Sequence, residues 1–387
     1  MCSSDLIPAT LDDGQAGPGF PIEVFNVLGA GDGFMSGLLK GWLDGEPWPV
    51  ALKYANVCGA FAVSRHGCTP AYPSWKELQF FLGRGIVTPA LRKDAALEQV
   101  HWATNRHGDL STMRVFAFDH RMQLEQMEGA TPEKIGAFKQ LCLKAALQVA
   151  DGKPGHGILC DARLGRQALY AAAGTGLWIG RPVEWPGSRP LLLEPELGPD
   201  FGGLSEWPLG HVVKVLCFYH PDDAADLKTH QEATVLRLFT AARRNRLEML
   251  LEIIPSKVGP VQDDTSARVI QRFYDLGVTP DWWKLEPFAT DAAYALACAA
   301  ITRNDPNVRG VVVLGLDAEE AALAQSLALA ARHDLVRGFA IGRTIFGDAA
   351  KAWMKNLMSD DQAVAQMASK YANLCRIWDA ARAGALK

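Results

Sequence analysis

Three charged residues lie inside apolar, strand-like runs: Lys214 in VVKVLCFYH, Glu252 in LEMLLEII and Lys284 in DWWKLEP. A fourth, Asp119, ends the run RVFAFDH. A lysine in a short amphipathic strand is ordinarily a solvated surface residue, but Lys284 stands between Trp282, Trp283 and Leu285. Each residue alone has a structural explanation: Glu252 and Lys214 as a buried ion pair, Asp119 as the cap of a turn. Three ionisable groups on neighbouring strands ask for more, because desolvating each ion costs several kcal/mol before pairing offsets it. An amine desolvated by aromatic neighbours, with a second ammonium close by, gives up its proton more readily, which imine formation with a carbonyl substrate requires. Nearby carboxylates would then move protons to and from the carbinolamine and substrate hydroxyls.

Such residues need a frame that turns them toward one place. From residue 114 onward eight apolar runs alternate with helical patterns: RVFAFDH, HGILCDA, LWIGRPVEW, VVKVLCFYH, LEMLLEII, DWWKLEP, GVVVLGLD and RGFAIGR. Their number and spacing predict an α/β fold, a (β/α)8 TIM barrel over 114–387, with an open doubly wound sheet as the alternative. One helix is marked at its start by Thr131 as N-cap and Pro132 at the first helical position. In such a barrel the chemistry sits at the C-terminal ends of the strands, where all four charged residues fall.

After the last two strands, LGLDAEE and IGRTIFGDA place Gly315 and Gly342 just before predicted helices. Free backbone N–H groups and the helix dipole would favour a phosphate there, with Arg343 adding a charge-assisted contact. Glycine turns without a ligand are the plainer interpretation of either stretch alone.

Residues 1–85 carry helical patterns with almost no strands, an unlikely make-up for a complete α/β domain, and 86–113 mix Pro, Gly and charge as a linker with a leading helix. The first six residues, MCSSDL, lack the apolar core of a signal peptide. Back-translated with GTG as start codon, they resemble adapter sequence, so the natural chain is expected to extend upstream. The chain is 49% hydrophobic and 21% charged, a globular composition, and its formal charge of -4 offers no basic surplus for nucleic acid. Charges interrupt the apolar runs, so no membrane span is expected. Eight cysteines without a CxxC pair suit a reducing, cytoplasmic setting, and Cys160 and Cys217 read as small core residues. Nine histidines show no HxxxH or other ligand spacing, so no metal site is expected.

The motifs FAFDHR, VKVLCFYHPDD, LLEII, WWKLEP and GFAIGR, in this order, resemble the class I aldolases that cleave tagatose bisphosphate, which are (β/α)8 barrels. The resemblance covers about 114–354 and is sparse between motifs. It implies that Lys284 is the Schiff-base lysine, Lys214 the second lysine, Glu252 the proton-transferring glutamate and Asp119 the first-strand aspartate. It implies a small-molecule sugar phosphate as substrate and no cofactor; a homo-oligomer is compatible with it. Gly315 stands where that family has a serine-containing turn.

The stretch NVLGAGDGFMSGLL resembles the C-terminal signature of ribokinase-like (PfkB) sugar kinases, and ANVCGAFAVSRHGCTPAYPSWKEL extends the likeness toward the 5-dehydro-2-deoxygluconokinases of inositol breakdown. This implies an anion hole at Gly29, Ala30 and Gly31, a catalytic base at Asp32, and ATP and Mg as cofactors of the intact kinase. A truncated tail of this kind is not expected to phosphorylate by itself. Such kinases occur fused to a barrel of this type, and their product, 5-dehydro-2-deoxygluconate 6-phosphate, is a ketose phosphate suited to aldol cleavage. Its carboxylate needs a cation, for which His120, Arg121 and Arg181 are candidates at strand ends, each also readable as a salt-bridge partner. Two other functions stay open: a sugar kinase with an accessory barrel, and a barrel that binds a sugar phosphate without catalysis.

Overall fold

The computed structural model describes residues 19–106, 108, 110–315 and 320–384, and the chain forms two compact units, Met1–Gly108 and Asp109–Lys387. The leader MCSSDL lies outside the described residues.

The first unit contains α1 (Ala30–Leu43), α2 (Trp48–Ser64), α3 (Trp75–Arg84) and α4 (Ala95–Asn105), with no strand among its described residues. Helices without strands are what its sequence predicts. α1 lays Gly33, Gly37 and Gly41 against α2, and a Cβ at Gly37 would press on the Tyr54 backbone, so a side chain would force the helices apart. Ser74 caps α3 by accepting from the Glu77 N–H, and Asp94 caps α4 by accepting from the N–H groups of Ala96 and Leu97. Tyr54, Phe61, Leu78, Phe81 and Leu97 form a small apolar core of this unit.

The second unit runs β1 (Met113–Ala117), α5 (Met122–Glu125), α6 (Pro132–Ala150), β2 (His156–Leu159), α7 (Ala162–Ala172), β3 (Trp178–Pro182) and β4 (His211–Cys217). It continues with α8 (Ala225–Arg244), β5 (Glu248–Ile253), α9 (Thr265–Asp275), β6 (Trp282–Leu285), α10 (Asp291–Asn304) and β7 (Gly310–Leu314). It ends with α11 (Glu320–Ala330), β8 (Val336–Ile341), α12 (Arg343–Met354) and α13 (Asp360–Arg382). Each strand pairs parallel with the next, and β8 closes on β1 from Met113↔Gly338 to Phe116↔Ile341. Closure decides for the barrel and against the open sheet, and the eight strands coincide with the runs named above, with β1, β4 and β8 each starting one residue earlier. Thr131 caps α6 as expected, its hydroxyl accepting from the Lys134 N–H.

One crossover departs from the alternating pattern. Between β3 and β4 the chain makes no α-helix, only the 3-10 turns Pro195–Leu197 and Gly202–Glu206 and an antiparallel bridge between Glu184 and Leu193. Pro186, Pro190, Pro195, Pro199 and Pro208 lack N–H donors, which denies this stretch a helical ladder.

Strand alternation sorts the core into two layers. Val115, Ala117, Leu159, Val212, Leu250, Trp282, Val312 and Ala340 fill the barrel interior. Phe116, Ile158, Val213, Leu251 and Trp283 belong to the larger layer between strands and helices. No helix among the described residues is long and apolar enough to cross a membrane.

Candidate active site

The inward parity carries on past the interior core to the charged residues. Ala117 is followed two residues later by Asp119, Val212 by Lys214, Leu250 by Glu252 and Trp282 by Lys284, so the four side chains converge above the apolar plug. Lys214 Nζ lies 2.8 Å from Glu252 Oε2, 2.9 Å from Glu184 Oε1 and 3.3 Å from Asp119 Oδ2. Lys284 Nζ lies 2.8 Å from Glu252 Oε1. All five side chains are buried, and all line one cavity of about 460 Å³.

The environment of Lys284 differs from expectation in one respect. Trp282 shares its inward side, but Trp283 points to the helices, where its Nε1–H donates to the Tyr274 hydroxyl at 3.1 Å. Adjacent residues of a strand face opposite sides, so two consecutive tryptophans cannot both shield the same amine.

The charge states follow from the surroundings. Burial alone would lower the Lys214 ammonium, but Glu184, Glu252 and Asp119 outweigh it and hold the group above its ordinary value. Burial would raise Asp119 and Glu252, yet Lys214 and Lys284 hold both carboxyls below their ordinary values. Asp119 and Glu252 are therefore ionised at neutral pH.

Glu184 was not among the residues singled out from the sequence. It follows Gly180 and Pro182 at inward parity beyond β3 and accepts from Lys214, from Arg121 Nη2 at 2.8 Å and from the Leu216 N–H at 3.1 Å. Alternation along GRPVE could have found it. Arg181, the cation candidate on this strand, is one residue out of phase. That guanidinium packs 3.7 Å from the Trp207 ring centroid and does not line the cavity, so it is no candidate for a substrate carboxylate.

Two further cation candidates need correction. Arg121 lines the cavity, but its guanidinium is buried and committed to Glu184 and to Glu194 Oε1 at 2.9 Å. His120 stands edge-on to Phe346, and burial, reinforced by Lys284 and Arg343 against the pull of Asp119, lowers it to about 4. It is uncharged at neutral pH. The Lys139 ammonium fixes its position by donating to the His120 carbonyl at 3.0 Å.

Gly315, Gly342 and Arg343 line the cavity on the β7–β8 side. Gly342 is the N-cap of α12, and a Cβ there would collide with the Ala117 carbonyl oxygen and the His120 ring. Gly315 directly follows β7, and α11 is described from Glu320 onward. In the first unit, Gly29 is the N-cap of α1 with φ 80°, Ala30, Gly31 and Asp32 form the first turn, and the Tyr72 hydroxyl donates to the Gly29 carbonyl at 3.0 Å. Among the described residues no three His, Cys, Asp or Glu side chains are grouped to hold a metal ion. Cys160 and Cys217 are buried, with thiols pushed up by burial.

Comparison with known proteins adds the following. Residues 9–75 match the model of the pfkB family of carbohydrate kinases. Over 63 residues the chain is 30% identical to the 5-dehydro-2-deoxygluconokinase of Geobacillus thermodenitrificans, covering 16% of this chain and 19% of that protein. Over 54 residues it is 41% identical to the ATP-dependent ribose-1-phosphate kinase of Halopiger xanaduensis, covering 14% and 18%. The chain thus spans about a fifth of the length of these curated relatives. Among solved structures, the fructose-bisphosphate aldolase of Slackia heliotrinireducens is 18% identical, covering 74% of this chain and 95% of that one at a TM-score of 0.44. A Corynebacterium glutamicum protein is 17% identical, covering 78% and 97% at a TM-score of 0.45. Residues 77–382 match the model described as an uncharacterized protein conserved in bacteria (DUF2090), and the chain belongs to that family.

Proposed function

We propose that the barrel is a Schiff-base aldolase for a ketose phosphate, with 5-dehydro-2-deoxygluconate 6-phosphate as the substrate that best fits. The observation that carries this is the pair of inward lysines sharing one glutamate, with Lys214 held by three carboxylates and Lys284 by one. Lys214 stays an ammonium in that cage. Lys284, with a single carboxylate partner and a place on the cavity wall, is the amine that can reach a substrate.

In this reading Glu252 takes a proton from Lys284, and the free amine adds to the substrate ketone at carbon 5. The carbinolamine hydroxyl leaves as water after protonation, giving the protonated imine. The bond between carbons 3 and 4 then breaks. Its electron pair moves into the imine to form an enamine, and the carbon 3 hydroxyl gives its proton to a carboxylate, in this reading Asp119. Malonate semialdehyde departs, the enamine is protonated at carbon 4, and water hydrolyses the imine to release dihydroxyacetone phosphate and Lys284. Gly342 and Arg343 would hold the phosphate at the N-terminus of α12.

The kinase-like segment supports the substrate. A kinase that phosphorylates a keto-sugar acid makes the ester this barrel would cleave, and one relative of residues 9–75 bears such a name. In an intact kinase of this type Gly29, Ala30, Gly31 and Asp32 would serve as anion hole and base, with ATP and Mg. Borohydride reduction in the presence of dihydroxyacetone phosphate, followed by peptide mapping, tests the proposal. It requires the reduced adduct on Lys284, and an unlabelled protein rejects it.

A further inference from the structure

We propose that Lys257 is the residue that binds the substrate carboxylate, at the end of the molecule remote from the phosphate; this rests on the aldolase reading above. The cations favoured by the sequence are unavailable: Arg181 faces away, Arg121 is committed to two glutamates, and His120 is uncharged. Two other cations line the cavity away from Arg343, namely Arg189 beyond β3 and Lys257 beyond β5.

Ring order places them. In an eight-strand ring β4 stands opposite β8, so the segments after β3 and β5 flank the point across the mouth from Gly342 and Arg343. A ketose joined to Lys284 on β6, with its phosphate at the β8 end, directs its other end to that side. There Arg189 is already engaged, donating to the Asp223 carboxylate and to the Phe218 carbonyl. Lys257 is exposed and makes no ion pair with a described residue.

The base of Lys257 is fixed even though its ammonium is open to solvent. It ends the 3-10 turn Pro255–Lys257, and the buried Glu286 beyond β6 accepts from both the N–H, at 3.2 Å, and the hydroxyl of Ser256. With Asp223 opposing Arg189, Lys257 supplies a single positive charge that no ion pair with a described residue holds, with Glu286 near enough to feel it. A carboxylate matches that better than a second phosphate, which carries nearly two negative charges.

The test is the reverse reaction, addition of dihydroxyacetone phosphate to malonate semialdehyde or to propanal, which has the same three-carbon chain with a methyl group in place of the carboxylate. Lys257→Gln should lower the ratio of kcat/KM for malonate semialdehyde to that for propanal by about tenfold or more, through KM, and Lys257→Arg should restore most of it. Borohydride labelling with dihydroxyacetone phosphate alone is read on the unaltered chain. Labelling there together with an unmoved ratio in Lys257→Gln overturns this inference and leaves the aldolase reading standing. Labelling with a preference for glyceraldehyde 3-phosphate over malonate semialdehyde also overturns it, because the remote group would then be a phosphate. No labelling overturns the aldolase reading, and this inference with it.

Discussion

Lys214 and Lys284 hold opposite oxygens of the same Glu252 carboxylate, each at 2.8 Å. The two amines are therefore coupled through one group while differing in their other partners. Lys284→Ala should abolish both borohydride labelling and cleavage. Lys214→Met should still be labelled at Lys284, more slowly, and peptide mapping that places the adduct on Lys214 would reverse the two roles.

The same variant should alter the pH profile. Glu252 is held below its ordinary value in part by Lys214, so without that ammonium it keeps its proton to higher pH. The carboxylate that accepts the Lys284 proton is then lost earlier as pH falls. The acid limb of kcat should move to higher pH in Lys214→Met, and an unmoved limb would show that Glu252 is not the acceptor.

Stability should follow the cluster as well. Asp119 and Glu252 have folded values below their ordinary 3.8 and 4.5, so what they contribute is present above about pH 4.5 and is lost as pH falls further. Lys214 is displaced upward from 10.5, so its contribution is present below that pH and is lost only in stronger alkali. Between these limits urea unfolding should be nearly independent of this cluster's titration. Lys214→Met, which leaves buried Asp119 without its ammonium partner and takes one of the cations from Glu184 and Glu252, should cost about 3–5 kcal/mol at neutral pH. A loss below about 1 kcal/mol would mean that the carboxylates find other partners or water.

Arg343→Ala should raise KM for the phosphorylated ketose by about tenfold or more and leave labelling at saturating substrate nearly unchanged, since a phosphate contact takes no part in the covalent step. An unchanged KM would remove Arg343 from the phosphate site.

Cleavage should persist in EDTA, because a protonated imine serves as the electron sink. Activity lost to the chelator and recovered with zinc would contradict the Schiff-base mechanism.

Much of the barrel was legible because strand alternation has a short, rigid period. Once eight apolar runs are found, their order puts Lys214, Glu252 and Lys284 on three neighbouring strands without knowledge of any distance. The residues missed were those whose place depends on partners far along the chain. Glu184 lies beyond the end of β3, and only its ion pairs with Lys214 and Arg121 show what it does. Lys257 sits on a turn, where no periodicity points its side chain. Arg181 and Trp283 differ from expectation for a simpler reason: a place on the right strand does not bring a side chain to the site when it lies on the outer face of that strand.

The apolar plug beneath the charged cluster also bears on traffic. Trp282 meets Trp178 edge to face at 6.1 Å across the barrel interior, closing the floor below Lys284. In the proposed aldolase, substrate, both products and the hydrolytic water would then share the mouth at the strand ends. If the aldehyde fragment lies on the mouth side of the imine, it blocks the water until it leaves. Release is then ordered by queueing, with malonate semialdehyde first and dihydroxyacetone phosphate second, and the latter should act as the competitive product inhibitor.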